Sequence, residues 1–424
     1  MITNYLKNKI YRFLRLAQKY TGTDNVYLAK GGFWLSSSQI FSMAIAFFSA
    51  VAFANLLNPA TYGNYKYILS LAEILEITSL AGVGAAVTQA VARNLEGSFY
   101  SGFKTKLKWG LIGSLAAMIA VIYYWLRGNE TLSLPLIVAA VFLPILNASH
   151  IYTAFLGGRK LFNYQVKYTI VSQIISVGAI IAALFLTKNL LWLIIVYFTS
   201  NSFTNFFFYF LTKFKFRPNK KEDPQTISYG KHLSLMGVVS GIASRLDKLL
   251  LFNSIGAAPL AIYSFATIIP EQIERILGNV ESLAFPKLAS KSEKYIRVNL
   301  MQKFWKLSIL TGMAMVVSIA IIPFFYKIFF PRYLDSIIYS QAFVLTFVSI
   351  PISLLGTTFK AKMMKKELYL IKVGSFIKIC LMAILIPIYG IWGAIVAAIG
   401  AEIFKSGLVL FLFFRKFKDG PASF

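Results

Sequence analysis

The sequence contains little cysteine, little histidine and few acidic residues for its length. Cys380 is the single cysteine, which excludes a disulfide within the chain and a metal site built from cysteines. The two histidines, His150 and His232, lie far apart in the sequence, and no G-x-x-x-x-G-K-[ST] phosphate-binding loop occurs. These absences predict a protein that uses no metal or cofactor, does not hydrolyse ATP itself and is not an enzyme.

Hydrophobic residues are abundant instead. They make up 57% of the 424 positions, and charged residues only 14%, a balance that does not suit a soluble core and shell of this size. In hydrocarbon only helices and closed barrels satisfy every backbone polar group, and the apolar runs here are longer than barrel strands. The predicted fold class is therefore all-α, a polytopic membrane protein with about twelve transmembrane helices.

Twelve apolar runs are long enough to cross a hydrocarbon layer of about 30 Å at a rise of about 1.5 Å per residue. The runs are 32–56, 62–90, 108–127, 132–156, 165–187, 189–212, 232–254, 258–285, 304–326, 336–359, 368–388 and 391–414.

Basic residues outnumber acidic residues, 43 to 16, and give a formal net charge of +27. In a soluble protein this charge would favour nucleic acid as a partner. Here lysine and arginine concentrate in alternate connections between the apolar runs, which is typical of the cytoplasmic loops of membrane proteins. The pattern predicts a membrane protein with both termini in the cytoplasm and no nucleic-acid partner. The basic clusters lie within 7–19, 104–108, 159–167, 213–221, 291–303, 360–366 and 415–418.

The longest basic connection, from Lys213 to Lys231, contains two prolines and charges of both signs. It is typical of a linker, and it divides the runs into two groups of six. The predicted organisation is a basic cytoplasmic N-terminal segment at 1–30, a six-helix bundle at 31–215, a cytoplasmic linker at 216–230, a second six-helix bundle at 231–415 and a cytoplasmic tail at 416–424.

The two halves resemble each other in the placement of polar residues. A gap-free alignment pairs Glu73 with Glu271, Glu76 with Glu274 and Tyr65 with Tyr263. The matched segments keep the same charge bias, so the repeats share one orientation. The pattern predicts two pseudo-symmetric bundles related by an axis along the membrane normal, with a central cleft that opens to either side.

Ionisable residues inside the apolar runs are the candidate functional residues, because a charge at the bilayer centre costs a few kcal/mol or more. Glu73 and Glu76 lie in the second run and Glu274 in the eighth. Each is either functional or part of structural polar packing. Glu271 has Arg275 at i+4, and Glu402 has Lys405 at i+3, so both carboxylates are predicted to pair within their own helices.

The seventh run places Arg245 and Lys248 on nearly the same helix face, with Asp247 rotated away. Two cations at this depth need an anion. Two alternatives are open: a static network with Glu271, Glu274 or Asp247, or a transported phosphate, which arginine and lysine both bind. Lys378, deep in the eleventh run, is a further candidate.

Several short motifs resemble those of a known family. The segment Ala54-Asn-Leu-Leu-Asn-Pro-Ala-Thr-Tyr-Gly-Asn-Tyr65 resembles the L-x-P-x-x-Y-G-x-Y entry to the second helix of Wzx-type polysaccharide flippases. Asp247-Lys-Leu-Leu-Leu, Ile262-Tyr-Ser-Phe-Ala266 and Phe285-Pro-Lys287 are similar to the second-half counterpart, with Ala261 where the family usually has glycine. The superfamily also contains multidrug and toxin extruders.

The resemblance implies a flippase that moves an undecaprenyl-pyrophosphate-linked oligosaccharide, as for O-antigen, from the inner to the outer leaflet of the bacterial plasma membrane by alternating access. Arg245, Lys248 and Lys378 are then expected to bind the pyrophosphate or an acidic sugar. Ion coupling or gating is assigned to Glu73, Glu76, Glu274 and Asp247. The implied partners are the lipid-linked oligosaccharide, membrane lipid and polysaccharide polymerase machinery.

Other functions fit the same pattern. A cation or drug antiporter of the same fold would need a mainly acidic, aromatic cleft, and the buried cations count against it. A flippase for a peptidoglycan precursor and a membrane-embedded oligosaccharide polymerase are further alternatives. The sequence leaves the transported sugars and the coupling ion open.

Overall fold

The structure is a computed structural model that describes residues 25–290 and 293–417. The basic segment predicted at 1–30 and the tail predicted at 416–424 lie mostly outside these residues. The described residues contain α-helices and short 3₁₀ turns, and no strand is found among them. The α-helices are α1 Asn25–Leu56, α2 Pro59–Glu76, α3 Gly82–Ala92, α4 Ser98–Leu126, α5 Glu130–Ser149, α6 Ile151–Gly158, α7 Phe162–Leu186, α8 Leu190–Phe216, α9 Gln225–Ala243, α10 Leu246–Ile255, α11 Ala257–Ser290, α12 Glu293–Phe329, α13 Ser336–Phe343, α14 Ser349–Ala361 and α15 Lys365–Lys416.

Many of the helical segments have the length and apolar character that a bilayer requires. In the described part of the chain, eight helical segments could cross a membrane by length and composition, and up to nine if α2 and α3, bent by 48°, form one span. The predicted runs 232–254 and 258–285 fall on α9 with α10 and on α11, which are not among these segments. The all-α, multi-pass membrane fold is confirmed.

The last helix, α15, reverses direction within its length. Its 52 residues would span about 78 Å if straight, at about 1.5 Å per residue. Gly390 interrupts it with φ 56° and ψ −126°, a conformation that essentially only glycine adopts. The Nζ of Lys416 lies 3.2 Å from Oε1 of Glu367, so the two ends of the helix meet. The predicted spans 368–388 and 391–414 are its two arms.

Backbone packing divides the chain into two compact units. Residues 51–74 pack with the later helices. The bundles at 31–215 and 231–415 stay a prediction. In the described chain, the first unit contains 25–50, 75–187 and 191–235, and the second contains 51–74, 188–190 and 236–417.

The first unit has an aromatic core. Phe99 is fully buried and lies 5.1 Å from Phe155 and 4.8 Å from Tyr209, measured between ring centroids. Val83 and Val87 of α3 pack in the same cluster. Aromatic pairs of this kind contribute about 0.5–1.5 kcal/mol each beyond burial of their area.

The connection between α8 and α9 is fixed to the first unit by an ion pair whose carboxylate is buried. The Arg159 guanidinium donates to both carboxylate oxygens of Glu96, at 2.5 and 2.6 Å, and to the Phe216 carbonyl. The Asn219 backbone N–H donates to Oε2 of Glu96, and the Gly97 N–H donates to the Lys221 carbonyl. The described part of the predicted linker 216–230 is therefore a structured segment.

The charge state of Glu96 follows from these contacts, which lie outside the spans. Burial alone raises the pKa of the Glu96 carboxyl. The hydrogen bonds from Arg159 and from the Asn219 backbone, together with the Arg159 charge, lower the pKa more, so that it lies below the ordinary value of 4.5.

In the second unit, the start of α2 packs against α11. Asn58 caps α2 by accepting a hydrogen bond from the Thr61 N–H at 2.7 Å, and Pro59 occupies the first helical position. The Tyr62 ring then lies 4.8 Å from the ring of Phe265. Gly63 is required here, because a methyl group on its Cα would overlap the Ala257 carbonyl.

Candidate functional site

The charged residues of the second unit gather around a helix break. The run predicted as one helix at 232–254 is interrupted, since α9 ends at Ala243 and α10 begins at Leu246. Arg245 lies in the break with φ −130° and ψ −9°. The break places Arg245 outside the continuous helix face that the sequence predicts it shares with Lys248.

Arg245 pairs with a carboxylate of α2. Its Nε lies 2.5 Å from Oε2 of Glu73, and the two side chains are 34% and 42% exposed. Lys66 lies about two turns before Glu73 in α2. It interacts electrostatically with Glu73, Glu271 and Arg245. A half-exposed ion pair can exchange partners, because neither charge is sealed in the protein interior.

Arg245 also lines an open cavity of about 440 Å³ that belongs entirely to the second unit. This volume is within the range of about 300–1,000 Å³ typical of pockets for organic ligands. The lining residues come from the helix break and from α11, α14 and α15: Ser244, Arg245, Glu271, Glu274, Arg275, Gly278, Ser349, Ile350, Ser353, Glu402 and Lys405.

Two ion pairs in the cavity wall lie within single helices. Arg275 Nη2 is 3.9 Å from Oε2 of Glu271, and Lys405 Nζ is 3.2 Å from Oε2 of Glu402. Both pairs are as their spacing predicts. Glu274 interacts electrostatically with Glu402, Glu271, Lys405 and Lys378, and no ion pair to it is found among the described residues.

Asp247 is buried and forms hydrogen bonds within α10 and to α11. The residue is 8% exposed, its Oδ2 accepts a hydrogen bond from the Tyr263 hydroxyl at 2.6 Å, and its Oδ1 accepts one from the Lys248 N–H at 2.8 Å. Lys248 is half-buried and is not part of the cavity wall. The side chain of Asp247 thus fixes the first turn of α10 to α11.

The remaining candidates do not line the cavity. Lys378, half-buried in α15, acts on Glu274 electrostatically without lining the cavity. Glu76 belongs to the first unit and interacts there with Lys106, which is 9% exposed. The structure therefore brings Arg245, Glu73 and Glu274 to one region, with Lys378 in electrostatic range.

The sequence does not identify every cavity residue as functional. The spacing of Glu402 and Lys405 predicts only a self-neutralising pair, and Ser349 and Ser353 give no signal in the sequence. The depth of Glu402 within an apolar run was the available clue, because a charge there calls for a polar environment. The two serines become informative only when α14 is placed beside α11.

Comparison with known proteins agrees with this fold. The family model of polysaccharide biosynthesis proteins matches residues 28–289, more than half of the 424 residues. The curated proteins gave no sequence match.

Solved structures share the fold at low sequence identity. The lipid II flippase MurJ, in an inward closed conformation, matches with a TM-score of 0.63 and 14% identity over 89% of this chain and 86% of that chain. An outward-facing multidrug resistance MATE transporter of the MOP superfamily matches with a TM-score of 0.58 and 14% identity over 92% and 95%. A MOP superfamily transporter from Pyrococcus furiosus matches with a TM-score of 0.59 and 12% identity over 92% and 97%.

Proposed function

Because this chain belongs to the polysaccharide biosynthesis protein family, we propose that it is a flippase for an undecaprenyl-pyrophosphate-linked oligosaccharide. The oligosaccharide is the repeat unit of an O-antigen or of another surface polysaccharide. The protein moves it from the inner to the outer leaflet of the bacterial plasma membrane, with both of its own termini in the cytoplasm. The fold shared with a lipid II flippase supports this proposal.

The observation that carries the proposal is the Arg245–Glu73 pair at the cavity. A pyrophosphate offers oxygens that an arginine binds with two N–H groups, and it carries more charge than one carboxylate. In the proposed cycle the pyrophosphate displaces Glu73 from Arg245 on binding. Glu73 returns to Arg245 on release. Lys248 and Lys378 supply further positive charge for the phosphates or for an acidic sugar.

The carboxylates are proposed to couple transport to an ion or to bias the two access states. Glu73 changes partner during the cycle, and Glu274 faces the cavity. Glu76, which interacts with Lys106, and Asp247, which accepts a hydrogen bond from Tyr263, contribute without lining the cavity. An alternating-access cycle needs such differential contacts, because a ligand shifts an equilibrium only by its difference in affinity for the two states.

The test is genetic and chemical. Deletion of the gene should cause a lipid-linked oligosaccharide to accumulate on the cytoplasmic side, and the wild-type gene should restore export. Arg245→Ala should fail to restore export at matched expression. Arg93→Ala, which removes an exposed arginine from a surface ion pair, is the matched control and should restore it. Export that is unchanged by Arg245→Ala would contradict the role of the cavity arginine.

The second candidate is a cation or drug antiporter of the same fold. The carboxylates Glu274 and Glu402 in the cavity wall favour it, because a cationic drug needs a carboxylate partner. This candidate predicts that deletion sensitises cells to lipophilic cations and leaves lipid-linked oligosaccharide levels unchanged. The flippase predicts the opposite result for both measurements.

A further inference from the structure

The wall of the cavity in the second unit has fewer cations available for pairing than it has carboxylates. Its wall holds three cationic side chains and three carboxylates. Two of the cations, Arg275 and Lys405, pair with carboxylates of the same wall. The third, Arg245, pairs with Glu73, which is outside the wall. Among the described residues this leaves Glu274 as the wall carboxylate without an ion pair.

The uncharged polar groups of the wall are also acceptors. The hydroxyls of Ser244, Ser349 and Ser353 donate to the carbonyls of Gly241, Thr346 and Ile350, at 2.7, 2.9 and 2.7 Å. A serine hydroxyl has one proton to donate, so these oxygens present lone pairs to a ligand. At these three serines the wall therefore favours hydrogen-bond donors on a ligand.

Size and charge together restrict that ligand. The volume of about 440 Å³ suits an organic group better than a single ion or proton. The pyrophosphate is assigned to Arg245, and an acidic group at Glu274, in another part of the same wall, would be repelled by a like charge. An ammonium group brings three donors and one positive charge, and sugar hydroxyls bring further donors.

We propose that this cavity binds a sugar that carries a free amine, with the ammonium group at Glu274 and the sugar hydroxyls at the three serines. Under the proposed flippase function, on which this step rests, the protein selects oligosaccharides that contain an amino sugar whose nitrogen is not acetylated. Acetylation removes the charge and two of the three donors, so it removes the reason for binding at Glu274.

A binding experiment tests the cavity without assuming transport. The full chain, purified in detergent, is heated with glucosamine, N-acetylglucosamine or glucuronate at pH 7. Glucosamine should raise the melting temperature with a half-maximal concentration at least tenfold below that of N-acetylglucosamine. Glu274→Gln should remove this difference, and Glu130→Gln, an exposed control, should retain it. Equal effects of the amine and its acetylated form on the wild type would overturn the proposal.

A transport experiment tests selection. Proteoliposomes receive two polyprenyl-pyrophosphate disaccharides that differ only in acetylation of one amine, and flipping is followed with an impermeant glycosidase. The amine form should flip at least tenfold faster, and Glu274→Gln should slow only that form. Equal flipping of both forms would uphold the flippase and overturn the selection. Flipping of neither form, with amine-selective binding retained, would overturn the flippase and leave the amine site supported.

Discussion

Arg245 of the break between α9 and α10 forms an ion pair with Glu73 of α2, with 2.5 Å between Nε and Oε2. In the proposed cycle this pair is a resting arrangement that the pyrophosphate replaces. Glu73→Gln should therefore raise the affinity for a polyprenyl pyrophosphate and lower the turnover, because nothing competes for Arg245 at release. We expect each change to be about tenfold, which corresponds to about 1.4 kcal/mol.

The measurement is binding and flipping of one labelled lipid by purified wild type, Glu73→Gln, Arg245→Ala and the double variant. If the two residues act through one contact, the double variant should resemble Arg245→Ala alone. Additive losses in the double variant would contradict the exchange of partners.

The ion pair between the buried Glu96 and the partly exposed Arg159 should contribute to stability. Glu96→Gln removes the charge that accepts hydrogen bonds from Arg159, whose side chain is 29% exposed, and such bonds typically contribute about 1.5–3 kcal/mol to the free energy of unfolding. Asp223→Asn is the matched control, since the partner of Asp223, Arg93, is 60% exposed and such pairs contribute about 0–1 kcal/mol. Melting temperatures in detergent should fall clearly for the first variant and little for the second. Equal falls would show that burial is not what distinguishes the two pairs.

The same pair should respond to pH. The pKa of Glu96 in the folded chain is below its ordinary value of 4.5, so the folded state favours the ionised carboxylate. The contribution of the pair is complete above the ordinary pKa and is lost as the pH falls through the depressed pKa. The difference in melting temperature between the wild type and Glu96→Gln should be constant from pH 7 to pH 5 and should shrink below. A difference that grew on acidification would contradict the depressed pKa.

Gly63 should not tolerate a side chain. Gly63→Ala forces a methyl group into the Ala257 carbonyl, and overpacking of this kind typically costs about 1–3 kcal/mol. Gly84→Ala is the control, because nothing lies within 4 Å of the added carbon and alanine favours helix. We expect a lower melting temperature for Gly63→Ala and an unchanged or higher one for Gly84→Ala.

Gly390→Ala tests the reversal of α15. An alanine at φ 56° and ψ −126° is strained by about 1–3 kcal/mol. Gly407→Ala, later in the same helix with open space around the added carbon, should be neutral or stabilising. The comparison of melting temperatures distinguishes strain at Gly390 from a general effect of alanine in α15. Equal effects of the two substitutions would argue against the strained backbone.

Features with a short-range physical cause could be predicted from the sequence. The apolar runs predicted helices, because backbone groups in hydrocarbon must be satisfied locally. The spacing of Glu271 and Arg275 and of Glu402 and Lys405 predicted the ion pairs that the structure contains. Both depend only on the periodicity of one helix.

The site itself depends on breaks that leave no signal in composition. The interruption at Ser244 and Arg245 contains neither glycine nor proline, so the periodicity predicted a continuous helix there. It is this break that separates Arg245 from Lys248 and brings it to Glu73. Tertiary packing decides such a break, and one sequence carries no information on which distant helix provides the partner.

The ion pair between Glu367 and Lys416 places both ends of α15 on the same side of the membrane. A chain that enters a bilayer at one end of α15, turns at Gly390 and returns must cross an even number of times. Residues 365 and 416 then emerge at the same membrane surface, whichever surface that is. The basic residues Lys365 and Lys366 at one end and Arg415 and Lys416 at the other are thereby restricted to one compartment, so a single labelling experiment on either pair would orient both.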